Sequence, residues 1–279
     1  MAQSPTGLPV LMGVVNVTPD SFSDGGRWAT TDAAIAHGRD LLVDGADILD
    51  IGGESTRPGA TRPLVEEELG RVVPVIRALA EDGATVSVDT MRSEVAVEAL
   101  AAGATVVNDV SGGLADPRIL DVVADADATY VCMHWRAHSD RMSDYAVYDG
   151  PGGVLAAVCD ELSERVESAR AAGVPDERIV LDPGLGFAKR PEHNWALLTG
   201  VPVLKELGFR ILVGASRKSF LGSLLADAAG EPRPVDDRED ATTALTVLLA
   251  QRGVWALRVH DVRASHDALR TFARWEQGG

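Results

Sequence analysis

The chain has 279 residues, 46% of them hydrophobic, enough for one large α/β domain or two small ones, and long enough to bury a core. Its 26 basic and 42 acidic side chains leave a net charge of −16, which disfavours nucleic acid and anionic membranes, since phosphate surfaces need clustered Lys and Arg. A small anionic substrate is not excluded, because it feels only local charge.

Eight short apolar, β-branched runs recur along the chain. They are VLMGVVNV (10–17), ADILDIGG (46–53), TVSVDT (85–90), ATVVNDV (104–110), TYVCMH (129–134), IVLDPG (179–184), RILVGAS (210–216) and VWALRVH (254–260). Near-continuous apolar runs of this length predict strands buried on both faces, as in a parallel sheet. Helical spacing rich in Ala, Glu, Leu and Arg fills 31–44, 64–82, 92–102, 154–172 and 239–252, and Gly103 and Gly173 stand where helices stop. Strand then helix, eight times over with no mid-chain linker, predicts a single-domain (β/α)8 TIM barrel over 8–277 after a short flexible start, 1–7. An open doubly wound sheet is the rival architecture. The segments 135–151 and 229–240 are too polar for core and are expected as exposed loops, the first a surface insertion over one end of the barrel.

Cys132 and Cys159 sit in apolar runs with no CxxC or His cluster, which predicts two buried thiols rather than a disulfide. The start MAQSPTGLP has neither a basic n-region nor an apolar h-region, and no apolar run approaches the roughly 20 residues of a membrane span. A cytoplasmic protein is the expectation.

Polar residues end the strands: Asn16, Asp50, Asp89, Asn108, His134, Asp182, the Ser216–Arg217–Lys218 group, and Arg258 with His260. In a barrel those ends share one rim, where active sites are built. Each residue alone reads equally well as a helix cap or a structural histidine, Asp50 and His134 above all. The set also offers carboxylates, an amide and cations around one cavity, which separate caps do not explain. Asp89, Asn108 and Asp182 can accept N–H bonds from a guanidine-like edge of a guanine, a pterin or a related ring. Lys218 can donate to a ring carbonyl or nitrogen. Arg258 can lie flat on a ring or fork onto a phosphate, and His260, two residues on, shares its face.

Two polar loops follow strands. NVTPDSFSDGG (16–26) carries Asn16, Asp20 and Asp24, oxygen ligands suited to Mg2+ riding on a diphosphate. GGESTRPGATRP (52–63) offers Thr56, Arg57 and Arg62 to phosphate without being a P-loop. No G-x-S-x-G elbow is present and no Cys–His pair has motif support, so the expected site binds, orients and stabilises charge instead of supplying a nucleophile.

The stretches MGVVNVTPDSFSDGG, DIGGESTRPGA, VSVDTMR, VVNDVSGG, LDPGLGFAK, GASRKSFLG and RVHDV, in that order from about 8 to 275, resemble the dihydropteroate synthases of the folate pathway, in particular those of actinobacteria. The resemblance implies a barrel, a homodimer, and a transferase that joins 6-hydroxymethyl-7,8-dihydropterin diphosphate to p-aminobenzoate. It implies that Asp89, Asn108, Asp182 and Lys218 hold the pterin and that Arg258 packs on it and helps hold the diphosphate. Asn16 and His260 would also meet the diphosphate, with Mg2+ near Asn16. Thr56, Arg57 and Pro58 would come from the second loop and Phe22 and Asp24 from the first, while Phe187 and Ser219 would border p-aminobenzoate. The family is also the sulfonamide target. A methyltetrahydrofolate-type methyltransferase domain shares the barrel and the Asp/Asn contacts but has no use for diphosphate, so Arg57 and the SRKSF segment count against it. A pterin-binding paralogue without synthase activity is the other alternative.

Overall fold

The computed structural model describes residues 7–18, 27–54, 62–138 and 141–278. Eight parallel strands close into a barrel in chain order: β1 (Val10–Asn16), β2 (Ile48–Gly52), β3 (Val86–Asp89), β4 (Val106–Asp109), β5 (Thr129–Met133), β6 (Ile179–Asp182), β7 (Arg210–Val213) and β8 (Ala256–Val259), with β8 pairing back onto β1. Each of the eight expected strands is present, and closure excludes the open sheet.

Around them lie helices α1 (Arg27–Val43), α2 (Val65–Glu81), α3 (Ser93–Ala101), α4 (Arg118–Asp125), α5 (Gly153–Ala171), α6 (Pro191–Thr199), α7 (Val201–Lys205), α8 (Ser219–Leu224), α9 (Glu239–Gln251) and α10 (Val262–Glu276). Their sequences explain their faces. In α2, Val72, Val75, Ile76 and Leu79 recur at helical spacing and are buried, while Glu66, Glu67 and Glu68 occupy the first turn, where the N-terminal dipole favours carboxylates. In α5, Val154, Val158, Leu162 and Val166 form a stripe at four-residue intervals. Asp261 caps α10 by accepting the Ala264 N–H at 3.0 Å.

The two faces of the strands go to two cores. Val10, Met12, Ile48, Val106, Val131, Val180, Leu212 and Ala256 fill the lumen, whereas Leu11, Val15, Leu49, Ile51, Val88, Val107, Tyr130, Leu181 and Leu257 pack outward on the helices. Side chains alternate with period two, so each lumen residue fixes the facing of its strand.

The segment after β5 is more than a surface insertion. Its short helical turn, Met142–Tyr145, buries Met142, and Arg136 stacks 4.0 Å over the Tyr148 ring while donating to the Val147 carbonyl at 2.8 Å. The loop expected at 229–240 is exposed over 229–232 but ends in a helical turn, Val235–Arg238, that runs into α9. Both cysteines are free thiols; Cys132 is buried and Cys159 only half-buried, so the second departs from expectation. Apart from Gly7, the expected flexible start lies outside the described residues.

Candidate active site

Period-two counting from the lumen residues places Asn16, Asp50, Asp89, Asn108, Asp182 and Arg258 on the inward face, Asp50 in the middle of β2 and the others at or next to the carboxyl ends of their strands. His260 follows two residues after Arg258 on the same side. At the same level β2 offers Gly52, and Gly214 follows β7. A Cβ on Gly52 would meet the Asp89 side chain at 3.5 Å, and one on Gly214 would meet Arg258 Cβ at 3.7 Å and Asp182 Oδ2 at 4.0 Å. Those glycines keep open the space between the charged groups.

Arg258 ties one half of the rim together. Its Nε donates to Asp50 Oδ2 at 2.6 Å and its Nη2 to Asp89 Oδ2 at 2.8 Å. Asn108 Nδ2 donates to the same Asp50 Oδ2 at 2.9 Å. Burial works against the Arg258 charge, but the carboxylates of Asp50 and Asp89 outweigh it and hold the guanidinium above its ordinary pKa. Burial pushes Asp89 up to about 7, against the pull of Arg258.

Across the lumen, Asp182 Oδ1 accepts the Gly184 N–H at 2.7 Å. Burial raises the Asp182 pKa, opposed by that N–H and by Lys218. Gly184 has φ +67, and a Cβ there would lie 2.2 Å from the His134 carbonyl oxygen, so only glycine lets the backbone pass. Lys218 precedes α8, donates to the Leu185 carbonyl, and lies 4.4 Å over the Phe187 ring. Burial brings Lys218 down to about 8, against Asp182. Its approach is set by Arg217, which holds a left-handed φ of 60. That strain is over-determined: Arg238 Nη1 grips the Arg217 carbonyl at 2.8 Å, and the Arg217 guanidinium pairs with Glu239. Ser219, the first residue of α8, is exposed at the rim.

His260 is oriented by Ser216. The Ser216 hydroxyl accepts the His260 backbone N–H at 3.2 Å and lies 2.9 Å from the ring Nδ1.

His134 is not part of this constellation. It follows Met133 on the outward face, where its Nε2 lies 2.9 Å from Glu161 of α5 and its Nδ1 lies 2.9 Å from Lys189 Nζ. Burial and Lys189 together lower His134 to about 4, so it is neutral, accepting from Lys189 and donating to Glu161. Lys189 also donates to the Phe187 carbonyl at 3.0 Å, and Tyr148 Oη to the Ala188 carbonyl at 3.1 Å. This outward cluster fixes the loop between β6 and α6 from behind. Asp109 does the same after β4, accepting from Ser111, Gly113 and Tyr130.

The structure thus gathers Asp89, Asn108, Asp182, Lys218 and Arg258 around one opening, with Phe187, Ser219, Asn16 and His260 at its margin. Phe22, Asp24, Thr56, Arg57 and Pro58, with Asp20, lie outside the described residues. Asp50, set aside in the sequence as an ambiguous strand-end carboxylate, is the point where Arg258 and Asn108 meet. Its placement in ILDIGG gave the only signal.

Fold and site define a parallel α/β barrel enzyme with a charged binding site at the carboxyl rim of its strands. The sequence matches the pterin binding enzymes over residues 12–260. The dihydropteroate synthase of Mycobacterium leprae is 52% identical over 271 residues, covering 96% of this chain and 94% of that protein. The crystal structure of the Clostridium difficile dihydropteroate synthase in the presence of pteroic acid superposes with a TM-score of 0.89 at 40% identity, covering 99% of this chain and 98% of that one. The Xanthomonas albilineans enzyme in complex with 7,8-dihydropteroate gives 0.84 at 42% identity, covering 98% and 95%. The chain belongs to the pterin-binding enzyme family and, within it, to the dihydropteroate synthases.

Proposed function

We propose that this chain condenses 6-hydroxymethyl-7,8-dihydropterin diphosphate with p-aminobenzoate, releasing diphosphate and 7,8-dihydropteroate. The observation that carries the reading is the inward set of Asp89, Asn108, Asp182, Lys218 and Arg258 around an opening kept clear by Gly52 and Gly214. Asp182, with one oxygen held by Gly184, turns the other toward the guanidine-like edge of the pterin. Lys218 donates to the ring carbonyl. Arg258, held by Asp50 and Asp89, packs against the pterin and helps hold the diphosphate. Phe187 and Ser219 border p-aminobenzoate.

Electron donation from the reduced ring stabilises a methylene cation as diphosphate departs, so attack by the weakly nucleophilic arylamine follows without an enzyme nucleophile. His260 meets the diphosphate, and the cations Arg57 and Arg258 oppose the negative charge on the leaving group. The loops carrying Phe22, Asp24, Thr56 and Pro58 exclude water, which would otherwise capture the cation. Asn16, an oxygen donor at the inward end of β1, next to the carboxylates of Asp20 and Asp24 in sequence, fits Mg2+ held chiefly by diphosphate. Once bound, the ion would neutralise charge on the departing diphosphate.

The proposal includes a homodimer. Exposed Val203, Leu224 and Leu248 on the successive helices α7, α8 and α9 support it, and sedimentation reads it directly. It also includes a cytoplasmic location; no helix of the described residues is long and apolar enough to cross a membrane.

A turnover assay with both substrates and Mg2+ tests the reaction. Diphosphate and dihydropteroate should appear in equal amounts. Pterin binding without product would leave a non-synthase paralogue.

A further inference from the structure

The carboxylate beneath the rim is an unusual place to bury a charge. Asp50 is fully buried on the inward face of β2, and one of its oxygens, Oδ2, takes both the Arg258 Nε–H at 2.6 Å and the Asn108 amide N–H at 2.9 Å. Its other oxygen, Oδ1, has no hydrogen-bond partner among the described residues, nor has the Ser87 hydroxyl, its register partner on β3. A half-satisfied buried carboxylate is costly to keep, and such groups cluster where function requires them. No residue of the proposed substrate set needs it for its own contact. What it does is constrain two that do.

We infer that Asp50 is a positioning residue that fixes the polarity of the Asn108 amide and thereby selects the reduced pterin ring. The inference rests on the pterin reading above. An amide can present oxygen or nitrogen to either side, and the two ends are nearly the same size. A carboxylate that already accepts from Arg258 offers no hydrogen, so only the NH2 end of Asn108 can face it. The Oδ1 end is then turned away from Asp50, as an acceptor, toward the opening. With the guanidine-like edge taken by Asp182 and the carbonyl by Lys218, the edge left for Asn108 carries a ring nitrogen lone pair and, in the 7,8-dihydro ring but not in the fully oxidised one, an adjacent N–H. The fully oxidised ring has a second lone pair there, which would face the Asn108 oxygen, acceptor against acceptor. Asp50 prevents the amide from turning over to relieve that clash.

The experiment measures Kd for 6-hydroxymethyl-7,8-dihydropterin and for oxidised 6-hydroxymethylpterin by calorimetry, in wild type and four variants. Wild type should prefer the reduced ring at least tenfold. Asp50→Leu and Asp50→Ser both remove the obligatory acceptor and should bring the ratio to within about threefold of one. Asp50→Asn, whose carbonyl oxygen the Arg258 Nε–H keeps at the Oδ2 position to accept from Asn108, should restore most of the ratio while overall affinity stays low, because Arg258 has lost a counter-charge. Arg258→Met, which leaves the Asp50–Asn108 bond in place, should lower affinity and keep the ratio. A wild type that does not discriminate, or a ratio unchanged in whichever of the Leu and Ser variants folds, overturns the inference. Failure of Asp50→Asn to restore the ratio, or collapse of the ratio in Arg258→Met, overturns it equally. Wild-type protein that binds neither ring would instead refute the pterin reading itself.

Discussion

Asp182→Asn separates recognition from folding at a single atom. Asp182 Oδ1 is committed to the Gly184 N–H at 2.7 Å, inside a turn that the His134 carbonyl keeps too tight for any side chain at 184. In the variant the amide must keep its oxygen on that N–H, because the reverse orientation sets two donors face to face. The NH2 group is therefore forced into the Oδ2 position, where the pterin presents its own N–H groups. The ligand loses hydrogen bonds to a charged acceptor, each worth about 1.5–3 kcal/mol, and meets a donor instead of an acceptor, adding about 1–3 kcal/mol. A loss of about 3 kcal/mol or more is expected, roughly two orders of magnitude in Kd. Folding should be nearly untouched, since the Gly184 bond survives and a buried charge is removed; a 1 kcal/mol change moves Tm by about 2–4 °C at this size. Calorimetry with a pterin ligand, beside a thermal melt, reads both quantities. Unchanged affinity would refute the assignment of Asp182 to the ring, and a collapse of Tm by 10 °C or more would place its role in the fold.

Other perturbations have equally definite outcomes. His134 is held at about 4, below its ordinary 6.5, so the unfolded chain takes up a proton first as pH falls; its contribution is present above 6.5 and is lost as pH drops through about 4. Urea melts at pH 7.5 and 4.5 should show His134→Gln flattening that acid sensitivity, by up to about 3 kcal/mol. Lys218, at about 8 in the free protein, should give a pterin affinity that declines as pH rises through that value, whereas Lys218→Met should bind weakly and lack that step. Labelled p-aminobenzoate alone should bind weakly, and at least tenfold tighter once pterin, diphosphate and Mg2+ are added; equal affinity would mean a preformed site. Pro58→Ser should raise the inhibition constant of a sulfonamide more than the KM for p-aminobenzoate, because the drug extends past the substrate's outline, and a separation of tenfold needs only about 1.4 kcal/mol. Equal rises would make the loop a shared part of both sites.

The sequence by itself determined the eight strands, because their apolar runs are short, β-branched and bounded by turn residues. It favoured the barrel over an open doubly wound sheet, because strand and helix alternate without a break, and the pairing of β8 with β1 decided closure. It also placed the polar residues at the strand ends, including five that the folded chain gathers around one opening. It could not say which face of a strand each one occupies. A strand buried on both sides shows no apolar–polar alternation, so TYVCMH gives no sign that Met133 points into the lumen and His134 away from it. Nor could it find the function of Asp50. The residues that meet it, Asn108 and Arg258, are 58 and 208 positions away in the chain, and only closure of β8 onto β1 brings Arg258 across the lumen to β2 and β3. Local chemistry writes the strand and its polar terminus. The partner of a buried charge is a property of the closed barrel, since burial is what makes an unpaired charge costly and the register of strands distant in sequence decides which group stands opposite.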